Sequence, residues 1–130
     1  MRRQVLLYAA IFWSALIVYF CLKNAKDLSQ IDIVGFDKVI HIVFHFVFAV
    51  LWFLYVQKKF TGAKKIRLAL GSFLFSFLFG IVVEIMQETL TTTRSADLFD
   101  ILANFFGAFL GLASVFLFNT RKKQSLKSIL

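Results

Sequence analysis

The chain has 130 residues and no proline; 60% of them are hydrophobic, 17% are charged, and 18 are phenylalanines. An ordinary soluble domain is about 25% charged and about 45–50% apolar, and a chain this short has no interior large enough to hide the excess from water. This excludes a conventional soluble enzyme and a disordered tail, and the single cysteine, Cys21, excludes a disulfide scaffold.

Four apolar runs are long enough to span a membrane as helices, which takes roughly 17–25 residues each. The first, Val5 to Leu22, follows Arg2 and Arg3. It is too long for a signal-peptide core and no small-x-small cleavage site follows it, so it reads as an uncleaved span. The second is Val39 to Val56, the third Ile66 to Gln87 and the fourth Leu98 to Phe118. None alternates in polarity as a barrel strand does. The expected architecture is therefore all-α, a four-transmembrane-helix bundle forming a single domain over residues 1–130.

The formal net charge is +8. The basic residues lie between apolar runs, and the chain has neither an aromatic–basic platform nor a phosphate-cradling glycine loop. Topology accounts for the charge, and no nucleic-acid partner is expected. Arg2 and Arg3, then Lys58, Lys59, Lys64, Lys65 and Arg67, then Arg121, Lys122, Lys123 and Lys127 fall on one side. Lys23, Lys26, Lys38 and Arg94 fall on the other. The bias puts both termini and the second loop in the cytoplasm of a multi-pass plasma-membrane protein.

Ionisable residues inside membrane helices are costly and usually face the bundle interior or a wet cavity. In helix two, Asp37, His41 and His45 share one face beside Lys38. Asp37 reads as a helix cap. The histidines read as hydrogen-bonded bundle residues or as a weak pair of metal ligands or proton carriers. In helix three Glu84, Gln87 and Glu88 share a face, with Glu84 about 6 Å deeper than Glu88. Glu84 is either a hydrogen-bonding anchor or an acid/base or substrate contact. Asp97, Asp100, Asn104, Gly107 and Gly111 recur every three or four residues along helix four, with Asp97 placed to cap it. Helix three offers a seam of Ser72, Ser76, Gly80 and Glu84, and the two stripes are expected to pack on each other through their small residues. Arg94 reads as an ion-pair partner for nearby carboxylates or as an outward clamp for a phosphate or carboxylate.

These blocks resemble the VanZ-like family of small polytopic membrane proteins. The resemblance rests on Asp37-Lys38-x-x-His41, on Glu84-x-x-Gln87, and on Arg94-x-x-Asp97-x-x-Asp100-x-x-x-Asn104-x-x-Gly107-x-x-x-Gly111, in family order over residues 37 to 111. The chain has Thr-Leu-Thr-Thr-Thr at Thr89 to Thr93, where family members often have a proline- or glycine-containing turn. The resemblance implies a bacterial envelope protein. The family's founding member is linked to low-level resistance to the glycopeptide teicoplanin, and the family name supplies no reaction.

Three classes of function follow. The favoured one is a non-enzymatic protein that binds a lipid-linked cell-wall precursor, or alters its exposure, at the outer membrane face. The runner-up is a small intramembrane enzyme using Glu84 or Asp100 as acid/base, with His41 or His45 as shuttle or metal ligand. A proton-coupled carrier is disfavoured because the polar residues cluster near one face; a passive assembly partner is the bland alternative. No cofactor and no metal is assigned. The expected partner is the lipid bilayer, and a homo-oligomer stays open.

Overall fold

In a computed structural model, residues 2–23, 35–92 and 96–130 are described. They form four helices: α1 (Arg3–Leu22), α2 (Phe36–Lys59), α3 (Lys65–Leu90) and α4 (Leu98–Ile129). No strand occurs among the described residues. All four helices are long and apolar enough to cross a membrane. In lipid a helix is the economical answer, because it satisfies each backbone N–H and C=O within the segment.

The helix ends differ from the expected spans where local chemistry carries the helix on. α2 starts at Phe36, three residues before Val39, because Gly35 takes a left-handed φ of 84° and turns the chain into the helix. Gly35 is therefore the cap position of α2; Asp37, expected to cap it, lies inside the first turn. α4 runs eleven residues past Phe118, through the basic tail to Ile129. Nothing after Gly111 breaks a helix, since the chain has no proline. At 1.5 Å per residue α4 is roughly 48 Å long, well beyond a hydrocarbon core of about 30 Å.

Large apolar side chains such as Phe12, Leu70, Leu78, Phe106 and Phe109 are exposed on the helix surfaces. In water such a surface would be an aggregation liability; against lipid tails it costs nothing. The interior combines a few large apolar side chains, Phe48, Phe53 and Ile17, with many small and polar ones, including Ala49, Ser72, Ser76, Glu84, Asn104 and Ala108.

α2 is central and packs on each of the other three helices, whereas α1 does not contact α4 among the described residues. α2 and α4 run parallel in close approach. A Cβ on Gly107 would overlap the carbonyl oxygen of Ile42, and one on Gly111 would sit 2.6 Å from that of Phe46. The offset is four residues on both helices, so two successive turns interlock through a small-xxx-small seam. Further along, the Phe53 and Phe116 rings pack with centroids 6.0 Å apart.

α3 packs on α4 as expected, with Phe73 and Phe77 against Phe105 and Gly80 against Asn104, but the glycine seam of α4 has a different partner. The glycines of α4 face the α2 backbone. The α3 seam also turns to α2: Ser76 Oγ shares a 2.8 Å hydrogen bond with His45 Nδ1. A Cβ on Gly80 would meet His45 Cε1 at 3.1 Å and Asn104 Nδ2 at 2.8 Å. The physical reason is room: the α4 glycines admit the α2 backbone at Ile42 and Phe46, and Gly80 of α3 leaves space for the His45 and Asn104 side chains.

α1 is held by hydrogen bonds that its uniform apolarity did not suggest. Trp13 Nε1 donates to the Phe44 carbonyl at 2.9 Å. Trp52 Nε1 donates to Ser14 Oγ at 3.2 Å, and Ser14 donates to the Ala10 carbonyl at 2.7 Å. Gln87 Nε2 donates to the Cys21 carbonyl at 2.7 Å, satisfying one of the carbonyls left open at the end of α1.

Two glycines provide a contrast. Gly107→Ala is expected to lower stability in detergent by about 1–3 kcal/mol or to abolish folding, because the obstacle is backbone and cannot move aside. At Gly71 of α3 an added Cβ meets nothing within 4 Å. Gly71→Ala is expected to be neutral or to stabilise by up to about 1 kcal/mol through helix propensity. Thermal unfolding of the two purified variants checks both.

Candidate functional site

α2 and α4 begin, and α3 ends, at the same end of the bundle, so Asp37, Lys38, Glu84, Asp97 and Asp100 gather there. Lys38 Nζ is the hub. It donates to Asp37 Oδ2 at 2.9 Å, Asp97 Oδ2 at 2.7 Å and Asp100 Oδ1 at 2.5 Å. One ammonium has three N–H donors, and all three are used. The Lys38 side chain is 29% exposed and that of Asp100 is 11% exposed, so the network spans the boundary between solvent and interior.

Asp97 does two jobs. Its Oδ1 accepts from the Phe99 backbone N–H at 2.9 Å and caps α4, while Oδ2 takes Lys38. The Lys38 ammonium, aided by that backbone donor, holds the Asp97 carboxyl below the usual carboxylate range. Asp37, in contrast, only pairs with Lys38.

Behind the hub lie buried polar groups. His41 Nδ1 donates to Asn104 Oδ1 at 2.9 Å, and His41 Nε2 lies 3.6 Å from Asp100 Oδ2. Glu84 Oε2 accepts from the Asp97 backbone N–H at 3.2 Å. Glu84 Oε1 is buried and has no hydrogen-bond partner among the described residues. One ligand-type atom each from His41, Glu84 and Asp100 falls within 4.8 Å of the others.

The singled-out residues therefore separate into groups. Asp37, Lys38, His41, Glu84, Asp97, Asp100 and Asn104 come together. His45 lies one turn deeper, bonded to Ser76 and flanked by the rings of Phe48 and Phe79. Gln87, grouped with Glu84 by spacing, reaches α1 instead. Ser72 is buried on α3. Arg94 lies outside the described residues. Glu88, absent from the expected site, accepts from the Ala96 N–H at 2.5 Å. With Glu84 it clamps the loop leading into α4. Glu88 is exposed at the end of α3, and its spacing from Glu84 puts both carboxylates on the face toward the start of α4.

A family model described as VanZ/LLP1 matches residues 5–119. The chain belongs to the VanZ/LLP1 family. No curated protein and no solved structure gives a significant match. The match spans all four apolar helices of this VanZ/LLP1 protein and every residue of the cluster. With the four membrane-length helices it makes the chain a VanZ-like membrane protein.

Among the described residues of this VanZ/LLP1 chain, the cluster's recorded ion pairs run to Lys38, apart from the His41–Asp100 contact. With every group ionised and His41 neutral, Asp37, Glu84, Asp97 and Asp100 against Lys38 leave a surplus of three negative charges. Lys38→Met is expected to lower stability at neutral pH by about 1–3 kcal/mol by leaving carboxylates without their counter-charge. The depressed Asp97 pKa fixes the sign of the acid response. Its contribution is complete above the unfolded value, near pH 4, and is lost as pH falls through the lower folded value. Wild-type stability should therefore fall at acid pH, and the Lys38→Met deficit should shrink there. Detergent unfolding across a pH series checks this.

Proposed function

We propose that this protein engages the polar headgroup of a lipid-linked cell-wall component at the outer face of the plasma membrane, and thereby lowers susceptibility to lipophilic glycopeptides such as teicoplanin. The observation that carries this reading is the gathering of Lys38, Asp97, Asp100, Glu84, His41 and Asn104 at one end of an otherwise apolar bundle. A bundle that needed only stability would pack tighter without it, since replacing buried charge with well-packed apolar residues is often neutral or stabilising.

Orientation follows from charge. The described end opposite the cluster carries Lys58, Lys59, Lys64, Lys65 and Arg67, and the helical tail beyond Phe118 adds Arg121, Lys122, Lys123 and Lys127. The positive-inside rule places that end, and both termini, in the cytoplasm. The acidic cluster then lies in the outer leaflet, level with the headgroups of lipid-borne wall intermediates. A headgroup amine suits the surplus negative charge directly; sugar and peptide hydroxyl and amide groups suit the exposed oxygens of Asp37 and Asp97. The lipid chains lie along the apolar helix surfaces.

The test is a susceptibility panel in a Gram-positive host. Wild type and Glu84→Gln are expressed at matched membrane levels against teicoplanin, vancomycin and an unrelated wall inhibitor. Wild type is expected to raise tolerance to teicoplanin alone, and Glu84→Gln to lose most of that rise. Equal tolerance in wild type and empty-vector cells for all three drugs would overturn the glycopeptide reading.

A further inference from the structure

We propose that His41, Glu84 and Asp100 form a binding site for one divalent transition-metal ion of the zinc or manganese type. The sequence pairs His41 with His45, and that pair assigned no metal. The tertiary structure splits the pair and joins His41 to carboxylates from two other helices.

Each of the three residues has one polar atom secured and one left over. His41 Nδ1 donates to Asn104 Oδ1, which fixes the tautomer and leaves the Nε2 lone pair facing Asp100. Asp100 Oδ1 is held by Lys38, which leaves Oδ2 facing His41. Glu84 Oε2 is held by the Asp97 N–H, which leaves Oε1 buried and without a partner among the described residues. An outer atom tied to a carbonyl, an ammonium or an amide is how metal ligands are oriented and tuned.

The spacing fits. Bonds of about 2.0–2.2 Å in a tetrahedral site place neighbouring ligand atoms roughly 3.4 Å apart. His41 Nε2 and Asp100 Oδ2 are already 3.6 Å apart, and the full triad lies within 4.8 Å. Imidazole plus two carboxylates is a donor set for zinc or manganese rather than calcium, which takes oxygen ligands only. The charge also fits: a neutral imidazole nitrogen facing a carboxylate oxygen is repulsive unless a proton or a cation lies between them.

Three protein ligands leave a coordination position open. Resting on the headgroup reading above, a phosphate oxygen of the lipid-linked component would take it, which lets an acidic cluster accept an anion. Metal binding itself needs no such ligand, so it is tested without lipid-linked substrate or antibiotic, and a failed susceptibility panel would leave it standing.

The full chain is purified in detergent, stripped with a chelator, incubated with zinc or manganese chloride, desalted and assayed for metal by mass spectrometry. Wild type is expected to retain about one equivalent and to unfold at a higher temperature when loaded. His41→Gln, Glu84→Gln and Asp100→Asn are each expected to weaken retention at least about tenfold. Thr89→Ala, at an exposed position outside the cluster, is expected to keep it. Should a triad variant fail to fold, manganese-loaded wild type is examined by electron paramagnetic resonance for coupling to a single imidazole nitrogen. Metal-free wild type after desalting, triad variants that retain metal like wild type, or manganese without nitrogen coupling would each overturn the proposal; the first would leave His41 and Asp100 as a plain proton-bridged pair.

Discussion

The parallel contact of α2 and α4 sets the position of everything else. Two glycines one turn apart let the α4 backbone come against the carbonyls of Ile42 and Phe46. Interatomic attraction falls steeply with distance, and lipid supplies no hydrophobic drive between helices, so such close approach is how membrane helices gain attraction. The same registry puts Asp97, Asp100 and Asn104 of α4 beside Lys38 and His41 of α2. Packing and site are therefore one construction: the polar atoms meet because the glycines below them do.

The interior inverts the soluble pattern. Phenylalanine and leucine cover much of the surface, and buried serine, glycine, histidine and carboxylate share the middle with Phe48, Phe53 and Ile17. Polar groups in hydrocarbon need partners from the protein itself, and nearly every one here has one. His45 has Ser76, His41 has Asn104, Gln87 has the end of α1, and Lys38 has three carboxylates. Glu84 Oε1 stands out against that background.

The division between structural and functional polar residues follows depth and helix. His45, Ser76 and Gly80 lie where three helices meet and serve the packing. Gln87, Trp13, Ser14 and Trp52 attach α1, a helix that otherwise offers lipid-like surface. The layer from Asp37 to Asp100, at the end of the bundle, is part-exposed and, among the described residues, carries more acidic than basic groups.

The sequence by itself determined the helices. Apolar runs of sufficient length without proline must span, and residue spacing along a helix is rigid, so His41 and His45, Glu84 and Glu88, and Gly107 and Gly111 were bound to share faces. It also marked the polar residues as interior, since lipid does not tolerate them. Which faces meet was decided only in the tertiary structure. A small-residue stripe announces close approach without naming its partner: the glycines of α4 turned to α2, and the α3 stripe faces α2 through Ser76 and both α2 and α4 through Gly80. Spacing likewise grouped Gln87 with Glu84 and His41 with His45. The rotation of each helix about its axis, fixed by side-chain volumes from all its neighbours at once, sent Gln87 to α1 and gathered His41 with Glu84 and Asp100.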